Sequence, residues 1–195
     1  MEQFLFYLEF GFTHILDPKG YDHMLFLLAL CALYRIEDWK RVLILVTAFT
    51  IGHSVTLAAA ALNIIQIPSE IIEFLIAFTI FLTAVYNLTF ARNEILTQQQ
   101  VQVNYAMALI FGFIHGMGFS NQFKALLGQE ESIVPILFPF NVGIELGQIL
   151  FVIGIMLVGG LLVEKLKIPF KYWKFGLSII AGLLALEMMI ERISF

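Results

Sequence analysis

The sequence predicts an all-α protein, a polytopic transmembrane bundle of about seven hydrophobic helices. Of its 195 residues, 60% are hydrophobic and 13% are charged, whereas an average soluble domain is about 45–50% apolar and about 25% charged. A soluble domain of this length lacks the interior to hide so much apolar surface. We therefore expect the lipid bilayer to be the main partner and residues 1–195 to form a single transmembrane domain.

Net charge and cysteine content argue against a nucleic-acid-binding protein and against a disulfide-stabilised one. The formal net charge is −4, whereas a nucleic-acid-binding protein needs a clustered basic face, so we expect no nucleic-acid partner. The single cysteine, Cys31, excludes an internal disulfide.

Apolar runs along the chain predict the individual helices. They cover residues 3–16, 22–34, 42–62, 70–90, 104–122, 134–163 and 173–190. A helix needs about 20 apolar residues to cross the hydrocarbon core, and the first two runs are shorter. Their junction, residues 17–22, is polar and rich in turn-forming residues. The pair is therefore either two tilted spans or, in the six-helix alternative, a re-entrant pair.

Basic residues predict the orientation in a bacterial inner membrane. Most Lys and Arg residues lie in the loops after the second, fourth and sixth runs, and cytoplasmic loops carry such an excess. The seven-helix arrangement then has a cytoplasmic N-terminus and an outer C-terminus. If the first pair is re-entrant, the N-terminus lies outside. No cleavable signal peptide is evident, so the first run is expected to belong to the mature protein.

All four histidines lie in or beside the apolar runs. His14 and His23 flank the first junction, while His53 and His115 lie deep in the third and fifth runs. An ionisable group in a membrane helix costs about 2.5–3.5 kcal/mol, and such groups usually face the bundle interior and mark functional sites. This distribution predicts a shared intramembrane site.

Carboxylates complete the predicted site. Asp22 lies at the first junction. Glu145 lies about ten residues into the sixth run, and His53 lies about ten residues from the outer end of the third run. That distance is about 15 Å along a helix. We therefore predict a metal site open to the outer side. Its candidate ligands are His14, Asp22, His23, His53, His115 and Glu145.

Other polar residues are secondary candidates. Asn141, Glu145 and Gln148 share one helix face. The remaining ones are Asp17, Ser54 and Glu73. Imidazole and carboxylate together suit Zn, Ni, Co, Cu or Fe. The predicted cofactor is a divalent transition metal, Ni²⁺ or Zn²⁺, and the residues alone leave its identity open.

Two short motifs bracket a polar residue with glycines, at 112–116 and at 143–147. We interpret them as a shared packing requirement, because glycine lets neighbouring helices approach closely. No convincing internal repeat is evident. The twenty phenylalanines are expected to face lipid or fill the core.

Four segments in order resemble the HupE/UreJ family of bacterial membrane proteins. They are residues 14–16 followed by 20–26, then 49–57, 111–119 and 140–148. The resemblance implies secondary import of nickel, associated with hydrogenase and urease maturation. It carries the ligand role to the same six residues, His14, Asp22, His23, His53, His115 and Glu145. The family pattern has five residues between the first His and Asp-His, whereas seven separate His14 from Asp22 here.

Three functions remain open from the sequence. The first is a permease for a divalent metal. The second is an intramembrane zinc-dependent hydrolase for a lipid or membrane-embedded substrate, with Glu145 or Asp22 as general base. The third is an accessory protein in which the metal is a fixed structural element. The resemblance favours the permease, so an enzyme is the less favoured class.

Overall fold

The computed structural model describes residues 1–89, 96–127 and 132–193. These residues form α-helices with short 3₁₀ and π turns, and no strand occurs among them. The α-helices are α1 (Glu2–Leu16), α2 (Asp22–Cys31), α3 (Trp39–Ala61), α4 (Ser69–Thr89), α5 (Gln98–Gly118), α6 (Ser120–Leu127), α7 (Val134–Gly160) and α8 (Phe170–Ile193). The all-helical prediction is confirmed.

Each predicted apolar run overlaps one of these helices, or α5 and α6 together for the run 104–122. Residue 90, the last of the fourth run, lies outside the described residues. The helix lengths separate spans from shorter elements. In the described chain, four helices are long and apolar enough to cross a membrane, namely those built on α3, α4, α7 and α8. The pair α5 and α6 makes a fifth if this helix, bent by 55°, counts as one span. Helices α1 and α2 have 15 and 10 residues, so neither reaches the usual length of a straight span.

Local sequence explains where several helices begin and end. Thr97 begins α5 with a capping box, because its hydroxyl accepts from the Gln100 N–H at 3.2 Å and Gln100 Oε1 accepts from the Thr97 N–H at 2.9 Å. Asn63 follows the end of α3 with φ of 58°, a left-handed conformation that asparagine tolerates better than most residues. Asp17 caps the turn before α2 by accepting from the Lys19 N–H at 2.9 Å.

Helices α1 and α7 run parallel in close backbone contact. A Cβ on Gly11 would overlap the Phe140 carbonyl, and one on Gly143 would overlap the Leu8 carbonyl. Contact this close is possible only because neither position carries a side chain.

Helices α3 and α5 form a second parallel pair of the same kind. A Cβ on Gly52 would overlap the Leu109 carbonyl, and one on Gly112 would overlap the Phe49 carbonyl. Both glycine-bracketed motifs of the sequence therefore serve helix packing, as expected.

The third pair, α4 and α8, is antiparallel. Gly182 packs against Ala84, whereas Arg192, ten residues further on, contacts Glu73 near the start of α4. The short helix α2 lies among α4, α5, α7 and α8, where Phe26 is fully buried. The polar junction before α2 stays partly exposed, with Asp17, Pro18 and Lys19 at the surface of the bundle.

Candidate metal centre

Three histidines from three helices meet inside the bundle. His14 lies in the last turn of α1, His23 in the first turn of α2 and His53 in the middle of α3. Each offers a ring nitrogen, and these three atoms lie within 4.8 Å of one another. We call this cluster the histidine trio.

The ring nitrogens of the trio are buried without protein partners. His53 is 0% exposed, and within the described chain neither of its ring nitrogens has a hydrogen-bond partner. The same holds for Nε2 of His14 and of His23. A buried unsatisfied polar group costs about 1–3 kcal/mol, and a metal ion that takes the lone pairs would remove this cost.

The donor set fits a transition metal. Three imidazoles suit Zn²⁺, Ni²⁺ or Cu²⁺. At a metal–nitrogen distance of about 2.0–2.1 Å, two tetrahedral ligands stand about 3.4 Å apart. The trio's nitrogens, within 4.8 Å, therefore need only a modest closure to hold one ion.

Asp22 contacts the trio through His23. Its Oδ1 accepts from the His23 backbone N–H at 2.9 Å and lies 3.0 Å from His23 Nδ1. The latter contact has the distance of an ion pair without hydrogen-bond angles. A carboxylate on one ring nitrogen of a metal-binding histidine orients the other towards the ion. In this geometry Asp22 is placed to orient His23.

His115 lies beside the trio. Its ring centroid is 5.1 Å from that of His23, and its Nδ1 lies 2.9 Å from the Phe111 carbonyl. That contact assigns the proton to Nδ1 and leaves the lone pair on Nε2, which has no partner within the described chain. His115 is therefore a neighbouring imidazole outside the set of three converging atoms.

Aromatic rings surround the imidazoles. The Phe119 ring lies 4.1 Å from that of His14, and the Phe49 ring lies 5.2 Å from that of His115. These rings keep the surroundings of the site apolar. The phenylalanines were expected only to face lipid or fill the core, but the sequence carries one signal of a place beside the site. A phenylalanine precedes each of His14, His53 and His115 by four residues, on the same helix face.

The predicted residues of α7 are not among the three converging residues. Glu145 is half-buried and accepts from the Thr47 hydroxyl at 2.7 Å. Gln148 is fully buried, with its Oε1 3.4 Å from the Thr50 hydroxyl. Asn141 donates to the Leu137 carbonyl of its own helix at 2.8 Å. Both Glu145 and Gln148 thus link α7 to α3.

Two secondary candidates on α3 and α4 are also engaged elsewhere. The Ser54 hydroxyl donates to the Thr50 carbonyl at 2.6 Å. Glu73 is exposed, and its carbonyl accepts from Arg192 at 2.7 Å. Arg192 also places Nη2 3.9 Å from Asp22 Oδ2.

A cavity leads to the trio from the first junction. It has a volume of about 550 Å³, and His14, Asp17 and Phe119 lie in its wall. Asp17 supplies a carboxylate within this cavity. We call it the entry cavity; its complete lining is Phe10, Thr13, His14, Leu16, Asp17, Pro18, Phe119 and Gln122.

The sequence matches the family model described as HupE / UreJ protein over residues 1–192. The chain therefore belongs to the HupE/UreJ family, whose members are membrane proteins of a metal-transport type. No curated protein and no solved structure shows significant similarity to it.

Proposed function

We propose that this family member is a secondary permease for a divalent transition metal and that the histidine trio is its binding site. The observation that carries the proposal is the convergence of three imidazoles, each with a buried ring nitrogen that lacks a hydrogen-bond partner in the described chain. The entry cavity connects this site to one side of the bundle. A cation passing through that cavity meets Asp17 and then His14.

Nickel is the proposed cargo, and zinc is the alternative. Family membership favours nickel, and imidazole binds either ion well. The membrane potential is a sufficient energy source, because a divalent ion gains about 4.6 kcal/mol per 100 mV. Asp22 supports the site by holding His23.

The helix contacts favour the arrangement in which the N-terminus lies outside. The Phe4 and Phe138 rings are 6.5 Å apart, so α1 begins beside the start of α7. The basic loops place the start of α7 on the outer side of a bacterial inner membrane. An outer N-terminus follows, with α1 and α2 as one interrupted segment.

An intramembrane zinc hydrolase is the second candidate, and the entry cavity is the observation that favours it. Its volume of about 550 Å³ is far larger than a metal ion requires and lies in the range of small-molecule sites. Phe10, Leu16 and Phe119 give it an apolar wall. In this function Asp22, next to His23, is better placed as general base than Glu145, which is bonded to Thr47.

The test measures metal content and metal uptake of the same purified protein. Wild type and His23→Ala are reconstituted into liposomes, and uptake of radiolabelled nickel is followed under an imposed membrane potential. We expect one metal per chain and potential-driven uptake in the wild type, with both lost in the variant. Thr79→Val is the matched control, because Thr79 is buried and its hydroxyl bonds within α4.

The outcomes separate the candidate functions. A stoichiometric metal without uptake, together with hydrolysis of a membrane lipid, identifies the hydrolase. A stoichiometric metal with neither activity identifies a structural metal. Absence of bound metal under every loading condition refutes the proposed site.

A further inference from the structure

Two distant parts of the sequence repeat. Residues 8–14 read LEFGFTH and residues 109–115 read LIFGFIH, so Leu, Phe, Gly, Phe and His recur at equivalent positions. Residues 49–52 read FTIG and residues 140–143 read FNVG. The first correspondence relates α1 to α5, and the second relates α3 to α7.

The helix contacts obey the same correspondence. Gly11 of α1 packs on the carbonyl of Phe140, and its counterpart Gly112 packs on the carbonyl of Phe49. Phe140 and Phe49 are themselves counterparts. The packing of α1 on α7 is therefore repeated in the packing of α5 on α3, with each helix replaced by its counterpart.

The order of elements along the chain repeats as well. In both sets the second helix is the shortest: α1 to α4 have 15, 10, 23 and 21 residues, and α5 to α8 have 21, 8, 27 and 24. The short helices are α2, with 10 residues, and α6, with 8. We call these two sets the first and second units.

Counterpart helices run in opposite directions. In its first half, α7 contributes Phe140, whose ring stacks on that of Phe119 just after the end of α5. In its second half, α7 contributes Met156, which lines the same cavity as Tyr34. Tyr34 in turn contacts Asn104 near the start of α5. Helix α7 thus opposes α5, and so does α1, its parallel partner. Because α3 parallels α5, it opposes α7, and α4 opposes α8.

Opposed counterparts mean that a pseudo-two-fold axis perpendicular to the helices relates the two units. In a membrane such an axis lies in the bilayer plane, which is the arrangement of the inverted repeats of secondary transporters. In those proteins the substrate binds between the repeats. Access alternates as one repeat moves against the other.

The two units differ in one respect that bears on access. The entry cavity reaches His14 of the first unit. The counterpart histidine, His115, is 2% exposed. Phe26 and Phe111 pack in contact with each other over it, with centroids 5.0 Å apart. Beyond them, Asn104 donates to the Tyr34 hydroxyl at 2.9 Å.

We propose that the chain is an inverted repeat and that Phe26, Phe111, Tyr34 and Asn104 form its closed inner gate. This inference rests on the proposed permease function. A second state then opens at the gate and closes the entry cavity, as the second unit takes the arrangement of the first. In this second state the metal leaves between α2 and α5, the part of the bundle that the gate closes in the first state.

The test locks the gate with a reversible cross-link. Tyr34→Cys and Asn104→Cys are combined in a Cys31→Ser background, and a short bifunctional thiosulfonate joins them. We expect nickel uptake to fall at least about tenfold while metal affinity stays within about twofold, because only the conformational exchange is blocked. Reduction of the cross-link restores uptake.

The matched control cross-links Phe74→Cys to Phe78→Cys, whose parent rings lie 6.2 Å apart on α4. Both residues belong to the first unit, so this cross-link does not join the two units and leaves uptake unchanged. Full uptake through a cross-linked gate overturns the inference and leaves the permease function standing. Absence of uptake in the uncross-linked parent overturns both.

Discussion

Replacing His53 by leucine distinguishes two roles for His53, that of a metal ligand and that of a buried histidine that only packs. The His53 ring is 0% exposed and both its nitrogens lack partners in the described chain. Replacing such a group by an apolar one of similar size is nearly neutral or stabilising. We therefore expect the metal-free His53→Leu protein to unfold at the wild-type temperature or above it.

With metal present, we expect the reverse order of stability, with the wild type above His53→Leu. Structural Zn²⁺ contributes about 10–16 kcal/mol through four ligands, or about 3 kcal/mol for each, so removal of one imidazole weakens binding about 100-fold or more. At a free metal concentration 100 times the wild-type dissociation constant, binding stabilises the wild type by about 2.7 kcal/mol. The variant gains only about 0.4 kcal/mol.

Thermal unfolding in detergent measures both effects. Trp39 and Trp173 provide the fluorescence signal. At about 2–4 °C per kcal/mol for a chain of this size, metal raises the wild-type midpoint by about 5–11 °C and that of the variant by about 1–2 °C. A variant that keeps the full metal-induced shift, or that is strongly destabilised without metal, refutes the reasoning. Thr79→Val should behave as wild type.

Three further measurements probe the site and its support. Arg192→Gln should tighten metal binding several-fold, because it removes a positive charge that lies 3.9 Å from Asp22 and repels the bound cation; titration calorimetry measures it, with Lys124→Gln as the charge-matched control, and equal affinities would contradict it. Gly112→Ala should lower the free energy of unfolding by about 1–3 kcal/mol, since its Cβ meets a backbone carbonyl. Gly154→Ala, with open space around it, should not, and equal unfolding midpoints would count against the packing. Metal affinity should fall as the pH is lowered into the acid range, because protons compete for the imidazoles; calorimetric titrations that show no pH dependence there would argue against histidine ligands.

Apolar composition was enough to predict the helices and the burial of the histidines. An uncharged, apolar run has few alternatives to a helix in lipid, because every backbone group must be satisfied within the segment. A buried histidine in such a run has few alternatives to facing the interior. Each of these two inferences concerns a single helix and needs no knowledge of how the helices pack together.

Contacts between helices were harder to predict. Helix phase placed Asn141, Glu145 and Gln148 on one face, but phase does not say which helix that face meets. In the structure Glu145 meets Thr47 of α3. Which three imidazoles converge depends likewise on the tertiary packing, so the six-residue ligand set stays a prediction.

The proposed internal repeat is hard to recognise in the sequence. The glycine motif at 112–116 resembles the one at 143–147, whereas its counterpart in the proposed repeat is the segment at 8–14. The two correspondences also have different spacings along the chain, so a single shift of the sequence does not reveal them. Packing contacts identify the counterparts directly, because the same carbonyl blocks the same glycine in each pair.

The trio belongs entirely to the first unit, since His14, His23 and His53 lie on α1, α2 and α3. When one unit moves against the other, all three ligands therefore travel together, and the change in access requires no change of ligand. Cobalt bound to the protein should accordingly give the same visible absorption spectrum whether or not the inner gate is cross-linked. A spectrum that changes on cross-linking would mean that a residue of the second unit, with His115 the nearest candidate, joins the coordination in one of the two states.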